Sequence, residues 1–260
     1  NADITDNVVE LIAERMQKLP QTTQEVLKLA ACIGNQFELK TISILQEKSL
    51  QESYDDLWLA LQEGLISISG GVSAAFQPAN PSIIFKFRHD HIHQSAYSLM
   101  PIEDTKEIHL NIGRLLLWSL AWQEEDRNLL DIVNQLNRGI ELVDYSYEKQ
   151  EIAKLELLIG RKVKKATAYD AAYKYFKIGI DLLNESYFTT QYELVYSLYI
   201  EAAEAAYLNG DFPGVKHYTE TILRHSTILL DKIKAYEIQI LAYGSQNKLS
   251  EAIDTGLFAL

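Results

Sequence analysis

The stretch Arg88-His-Asp-His-Ile-His sets the imidazoles of His89, His91 and His93 beside the carboxylate of Asp90. These are the groups with which a protein binds a metal ion or a phosphate. On a strand the three histidines would share a face, whereas on a helix only His89 and His93 would. A structural zinc site normally takes four ligands, often with cysteine among them, and the single cysteine, Cys32, lies in a distant apolar run. The spacing therefore points to no metal. It predicts a strand ending at His89, a helix capped by the Asp90 side chain, and solvated His91 and His93.

A second group is the basic cluster Arg161, Lys162, Lys164 and Lys165. Such a run is ordinarily a solvated helix face. In a helical repeat, Arg161, Lys164 and Lys165 would instead line an inner groove that suits an acidic peptide or an acidic domain surface. The sequence has no Gly-x-x-x-x-Gly-Lys-Ser/Thr, Gly-x-Gly-x-x-Gly or Gly-x-Ser-x-Gly motif. No serine, histidine and acid are spaced as nucleophile and base, so no catalytic residue, enzyme activity or cofactor is expected of this stretch.

The chain of 260 residues carries 24 Lys and Arg against 36 Asp and Glu, a net charge of -12 that disfavours nucleic acid and anionic membranes. One cysteine allows no internal disulfide and fits a reducing cytoplasm. No apolar run approaches the roughly 18 residues of a membrane span, and no signal peptide is evident. The chain starts at Asn1 without Met and stops at Leu260 in an apolar run. It is expected to be part of a longer protein.

The elements that position these groups change character near residue 100. Apolar spacing predicts a helix over Val8 to Leu19 with Asp6 as cap, and a core helix closed by Gly34 and capped by Thr22 or Thr23. A third unit begins at Phe37, and an amphipathic helix spans Leu50 to Glu63 and ends at Gly64. Two alternating runs, Leu65 to Ser69 and Ile83 to Arg88, flank a loop containing Gly70, Gly71, Pro78 and Pro81. Helices followed by a β-hairpin are the order of a winged helix, and the helix Asp90 to Met100 leads out of it. Its recognition helix would carry Glu52, Asp55, Asp56 and Glu63 with no Lys or Arg. That charge argues for a protein contact rather than DNA reading.

Beyond residue 100 the pattern is helical throughout: Ile108 to Trp118, Leu129 to Val143, Glu148 to Lys165, Ala168 to Leu183, Tyr192 to Tyr207, Val215 to His225, Ile228 to Tyr243 and Leu249 to Leu260. The turns starting at Thr167, Gly210 and Asn247 align, placing Tyr169, Phe212 and Leu249 at one position and Ala172, Val215 and Ala252 at another. This is a degenerate tetratricopeptide-like array. Gly160 and Ala203 are expected where helices approach closely, and Trp118 and Trp122 in the core. The expected fold is mostly α, with a winged-helix domain over 1–100 and a tetratricopeptide-like array over 101–260.

The runs Leu19-Pro-Gln-Thr-Thr-Gln-Glu-Val-Leu-Lys-Leu-Ala-Ala-Cys-Ile-Gly, Leu57-Trp-Leu-Ala-Leu-Gln-Glu-Gly-Leu-Ile and Phe85-Lys-Phe-Arg-His-Asp resemble the region after the ATPase core in signal-transduction ATPases with numerous domains. His109-Leu-Asn-Ile-Gly-Arg-Leu-Leu-Leu and Ala168-Tyr-Asp-Ala-Ala-Tyr-Lys-Tyr-Phe are similar to the same family, especially its large multi-sensor bacterial Ser/Thr and histidine kinases of cyanobacterial type. The resemblance implies a cytoplasmic regulatory segment whose partners are a preceding ATPase domain and neighbouring sensor and kinase domains. ADP or ATP would act through that ATPase domain. It also implies that His89 and Asp90, with Arg88 where such motifs carry Met, sense the nucleotide phosphate; the strand end and helix cap are the other reading of the same residues. The alternatives are the effector-binding arm of a transcriptional regulator and a peptide-binding scaffold.

Overall fold

Apolar residues three and four apart dictate helices along most of the chain. The computed structural model describes residues 2–69, 82–120 and 129–259 and is mostly helical. It divides into two compact units, Asn1–Leu142 and Val143–Leu260.

The first unit runs α1 (Ala2–Gln17), α2 (Gln21–Ile33), β1 (Gln36–Glu38), α3 (Leu39–Leu45), α4 (Leu50–Gln62), β2 (Ile66–Ser69), β3 (Ile84–Phe87), α5 (Asp90–Ser98), α6 (Ile102–Leu120) and α7 (Leu129–Arg138), then a 3-10 turn Ile140–Leu142. The strands form one antiparallel sheet in the order β1-β3-β2, with Phe37 opposite Phe85 and Ile68 opposite Phe85. Alternation sends Phe85 and Phe87 inward and Ile84 and Lys86 outward. Phe37 stacks on Phe85 with ring centroids 5.6 Å apart, and α2 and α4 cover this face with Val26, Leu27, Leu57 and Ala60.

Several boundaries differ from the periodicity. Helix α1 begins at Ala2, so Asp6 is internal to it, and Pro20 rather than a threonine holds the N-cap position of α2. Proline serves there because the start of a helix has no use for its missing N–H. Strand β1 was not foreseen, because three residues show no alternation. Helix α7 stops at Arg138 rather than Val143, and Gly139 just after it lies against α6: a Cβ there would stand 2.3 Å from the Lys106 carbonyl. The first unit extends through α6 and α7, beyond the expected boundary at residue 100. The expected wing segment Gly70 to Pro81, Trp122 and Leu260 lie outside the described residues. Trp118 is 63% exposed, not a core residue.

The second unit comprises α8 (Ser146–Lys165), α9 (Tyr169–Leu183), a 3-10 turn Glu185–Thr189, α10 (Tyr192–Leu208), α11 (Phe212–His225), α12 (Leu229–Ser245) and α13 (Leu249–Ala259). The three aligned turns are structurally equivalent. Thr167, Gly210 and Asn247 have φ of 63°, 72° and 58°. In each turn the next N–H returns to a carbonyl five residues back: Ala168 to Val163, Asp211 to Ala206 and Lys248 to Tyr243. These are Schellman ends, and Tyr169, Phe212 and Leu249 open the helices that follow.

Small residues set how closely the helices approach. Ala202, Ala203, Ala205 and Ala206 are fully buried on α10. A Cβ on Gly160 of α8 would lie 2.3 Å from the Phe176 ring of α9, and one on Gly179 would lie 2.6 Å from Leu198 of α10. Helix propensity alone predicts that Gly160→Ala gains about 1 kcal/mol. The clash reverses the sign, and we expect a net loss of about 1–3 kcal/mol in urea unfolding.

Candidate functional site

The seam residues emerge where β3 gives way to α5. His89 holds the N-cap position in extended conformation (φ -145°, ψ 148°), and its side chain makes no cap bond. Asp90 is therefore the first helical residue and not the cap. Its Oδ1 accepts from Asn35 Nδ2 at 3.4 Å. The expected capping by Asp90 is thus corrected, because the chain turns into the helix one residue sooner. Arg88, His89, Asp90 and His91 are exposed. His93 is not solvated as expected: it is half-buried, its Nε2 donates to the Ala31 carbonyl at 2.9 Å, and its ring centroid lies 5.2 Å from that of Phe87. A carbonyl only accepts, so His93 carries its proton on Nε2. Among the described residues no three His, Cys, Asp or Glu side chains converge on a metal position.

The basic cluster on α8 is largely answered from within the second unit. Arg161 Nε donates to Glu201 Oε1 at 2.7 Å, and Lys164 Nζ donates to both Glu201 and Glu204 of α10. Burial alone would lower the Lys164 pKa, but the bonds from Glu201 and Glu204 outweigh it and hold the ammonium above its ordinary range. Lys162 and Lys165 are exposed and form no ion pair among the described residues. An acidic ligand on this face would meet Lys165 free and Arg161 and Lys164 already neutralised.

The first unit also contains a groove of about 1150 Å³ that sequence reasoning missed. One wall is the end of α2 with β1 and α3; the other is α6 and α7. A buried polar network joins the walls. Gln135 Nε2 donates to the carbonyls of Cys32 and Ile33 at 3.0 and 3.3 Å, so its Oε1 faces His109 Nδ1, 2.6 Å away. His109 must then donate from Nδ1, leaving Nε2 to accept from Tyr97 Oη at 3.0 Å and Arg138 Nη1 at 3.3 Å. Burial is the main cause that lowers the His109 pKa below its ordinary 6.5; the Gln135 bond opposes it and the Arg138 cation reinforces it. The thiol of Cys32 beside this network is pushed up to about 12 by burial, which leaves it unreactive. One signal of the network is visible in the sequence: Gln135 interrupts the apolar stripe Ile132, Val133 and Leu136. Its partners lie too far along the chain for spacing to reveal.

No protein-family model matches the chain. No solved structure matches it. Among curated proteins, "Hybrid signal transduction histidine kinase G" of Dictyostelium discoideum is 25% identical over 295 aligned residues, covering 92% of this chain and 9% of that protein. The chain thus spans a small fraction of that relative. Among the described residues no helix is long and apolar enough to cross a membrane.

Two outcomes follow from the site geometry. Because His109 is held neutral, its contribution to stability is complete above about pH 6.5 and is lost as pH falls below that value toward the lowered folded-state pKa. Wild type should lose stability on acidification from pH 7 to 5, and His109→Gln should lose less over that range while being less stable at pH 7, as measured by thermal melts across pH. On α8, Lys164→Glu should cost about 2 kcal/mol by leaving three carboxylates together. Lys165→Glu should leave the melting temperature unchanged.

Proposed function

We propose that this chain is a non-catalytic regulatory and interaction segment of a multidomain signal-transduction kinase. In this reading a winged-helix module and a tetratricopeptide-like array relay the state of a nucleotide-switch ATPase domain to sensor and kinase domains in the cytoplasm. The observation that carries it is the proportion of the match, in which 92% of this chain aligns with 9% of a hybrid signal transduction histidine kinase. An aligned stretch of that size is one module within a much larger signalling protein.

Local structure supports each half of the reading. The order α2-β1-α3-α4-β2-β3 with sheet order β1-β3-β2 supports the winged-helix reading, in which residues 70–81 hold the sequence position of the wing. Helix α4 presents Asp55 and a 43% exposed Trp58 and has no Lys or Arg, which suits a protein surface better than a phosphate backbone. The three equivalent Schellman turns support a repeat array.

ADP and ATP act through the ATPase domain of the longer protein, and this segment supplies the sensor. His89 is exposed at the first turn of α5, with its side chain uncommitted to a cap and Arg88 beside it. An imidazole there donates to a phosphate oxygen, and the helix N-terminus adds favourable potential. The test is calorimetric binding of this segment to the ATPase domain of its own protein, with ADP and with a non-hydrolysable ATP analogue. ADP-favoured binding that weakens about tenfold in His89→Ala is expected, since a charge-assisted bond contributes about 1.5–3 kcal/mol. Equal binding in both nucleotides would reject the relay.

A further inference from the structure

In an antiparallel ladder, alternate residues turn their backbone N–H and C=O toward the neighbouring strand and away from it. Phe87 N–H donates to the Asn35 carbonyl at 3.0 Å and Leu39 N–H to the Ile83 carbonyl at 2.9 Å. Asn35, Phe37 and Leu39 therefore face β3, and Gln36 and Glu38 face away from it. Among the described residues β1 has a strand neighbour on one side only. The Glu38 carbonyl sits at the N-cap position of α3, where it serves the helix. This leaves the N–H and C=O of Gln36 and the N–H of Glu38 directed outward, and all three β1 residues line the groove of the first unit.

We propose that this groove takes an extended peptide segment that adds to β1 as a further strand, and that the segment alternates basic and apolar residues. Only an extended backbone offers donors and acceptors at the pitch of the free edge; a helix satisfies its own and would leave Gln36 and Glu38 unpaired. Charge selects the side chains. The groove is lined by the carboxylates of Glu38, Asp90 and Asp131 against the cations of Lys40 and Arg138, and Arg138 already donates to His109. A basic residue opposite Glu38 forms a favourable cross-strand pair. Residues between the basic ones turn to the opposite face of the added strand, the face of Phe37, which also lines the groove and suits apolar side chains. The inference goes beyond the relay and stands whether or not His89 senses nucleotide.

The test uses the 260-residue chain and a blocked hexapeptide of alternating lysine and valine. Two control peptides alternate glutamate with valine and lysine with proline. Binding is followed by calorimetry at low salt and by NMR hydrogen exchange at the Gln36 and Glu38 amides. We expect the lysine–valine peptide to bind and to slow exchange at both amides at least tenfold, with both controls at least tenfold weaker. Gln36→Pro removes an outward N–H and no bond to β3, and should weaken binding at least tenfold with the melting temperature retained; proline is tolerated on an edge strand. Glu38→Gln removes one carboxylate, should weaken binding several-fold, and decides the matter if Gln36→Pro does not fold. No binding at millimolar peptide would overturn the proposal. So would equal binding of the lysine–proline peptide, unchanged exchange at Gln36 and Glu38, or a helical circular dichroism signal gained by the peptide on binding.

Discussion

The last four carbonyls of an α-helix have no partner within the helix, and the first unit is arranged around those of α2. Ala30 accepts from the Gly34 N–H, Ala31 from His93 of α5, and Cys32 and Ile33 from Gln135 of α7. Two of these donors come from elements 62 and 103 residues further along the chain. Satisfying a buried helix end in this way ties the sheet, α5 and α7 to one place. It also explains why the unit does not end where the sheet and its helices end.

The same network fixes chemistry that the histidines do not advertise. His109 is buried, neutral and protonated on Nδ1 because Gln135 has already spent its donors on α2. His93 is protonated on Nε2 because a carbonyl faces it. The two histidines thus hold opposite tautomers for one cause, the need of α2 for donors. His89, two residues past β3, has no such duty and stays exposed. Burial therefore separates His93 and His109, held in the network, from the exposed His89.

In the second unit the governing constraint is steric. Gly160 and Gly179 let α8, α9 and α10 approach to distances that a methyl group would prevent. The acids of α10 that face α8 then fall within reach of Arg161 and Lys164. Close packing and charge pairing reinforce each other, and a cluster that reads in the sequence as a solvated face or a groove lining has Arg161 and Lys164 paired with α10.

The sequence by itself determined what depends on neighbours along the chain. Apolar periodicity set the helices, alternation set β2 and β3, and turn chemistry aligned Thr167, Gly210 and Asn247, because those signals operate within one or two helical turns. The apolar setting of Cys32 and the close approach at Gly160 were legible for the same reason. Tertiary structure alone decided the rest. Strand β1 is too short to show a pattern, and Asp90 loses the cap because the backbone turns one residue sooner than its residue type suggests. Lys164 changes role because Glu201 and Glu204 come from another helix. The groove along β1 and the link from Gln135 to Cys32 exist only once segments a hundred residues apart are brought together, and no local spacing encodes which distant donor will meet an unpaired carbonyl.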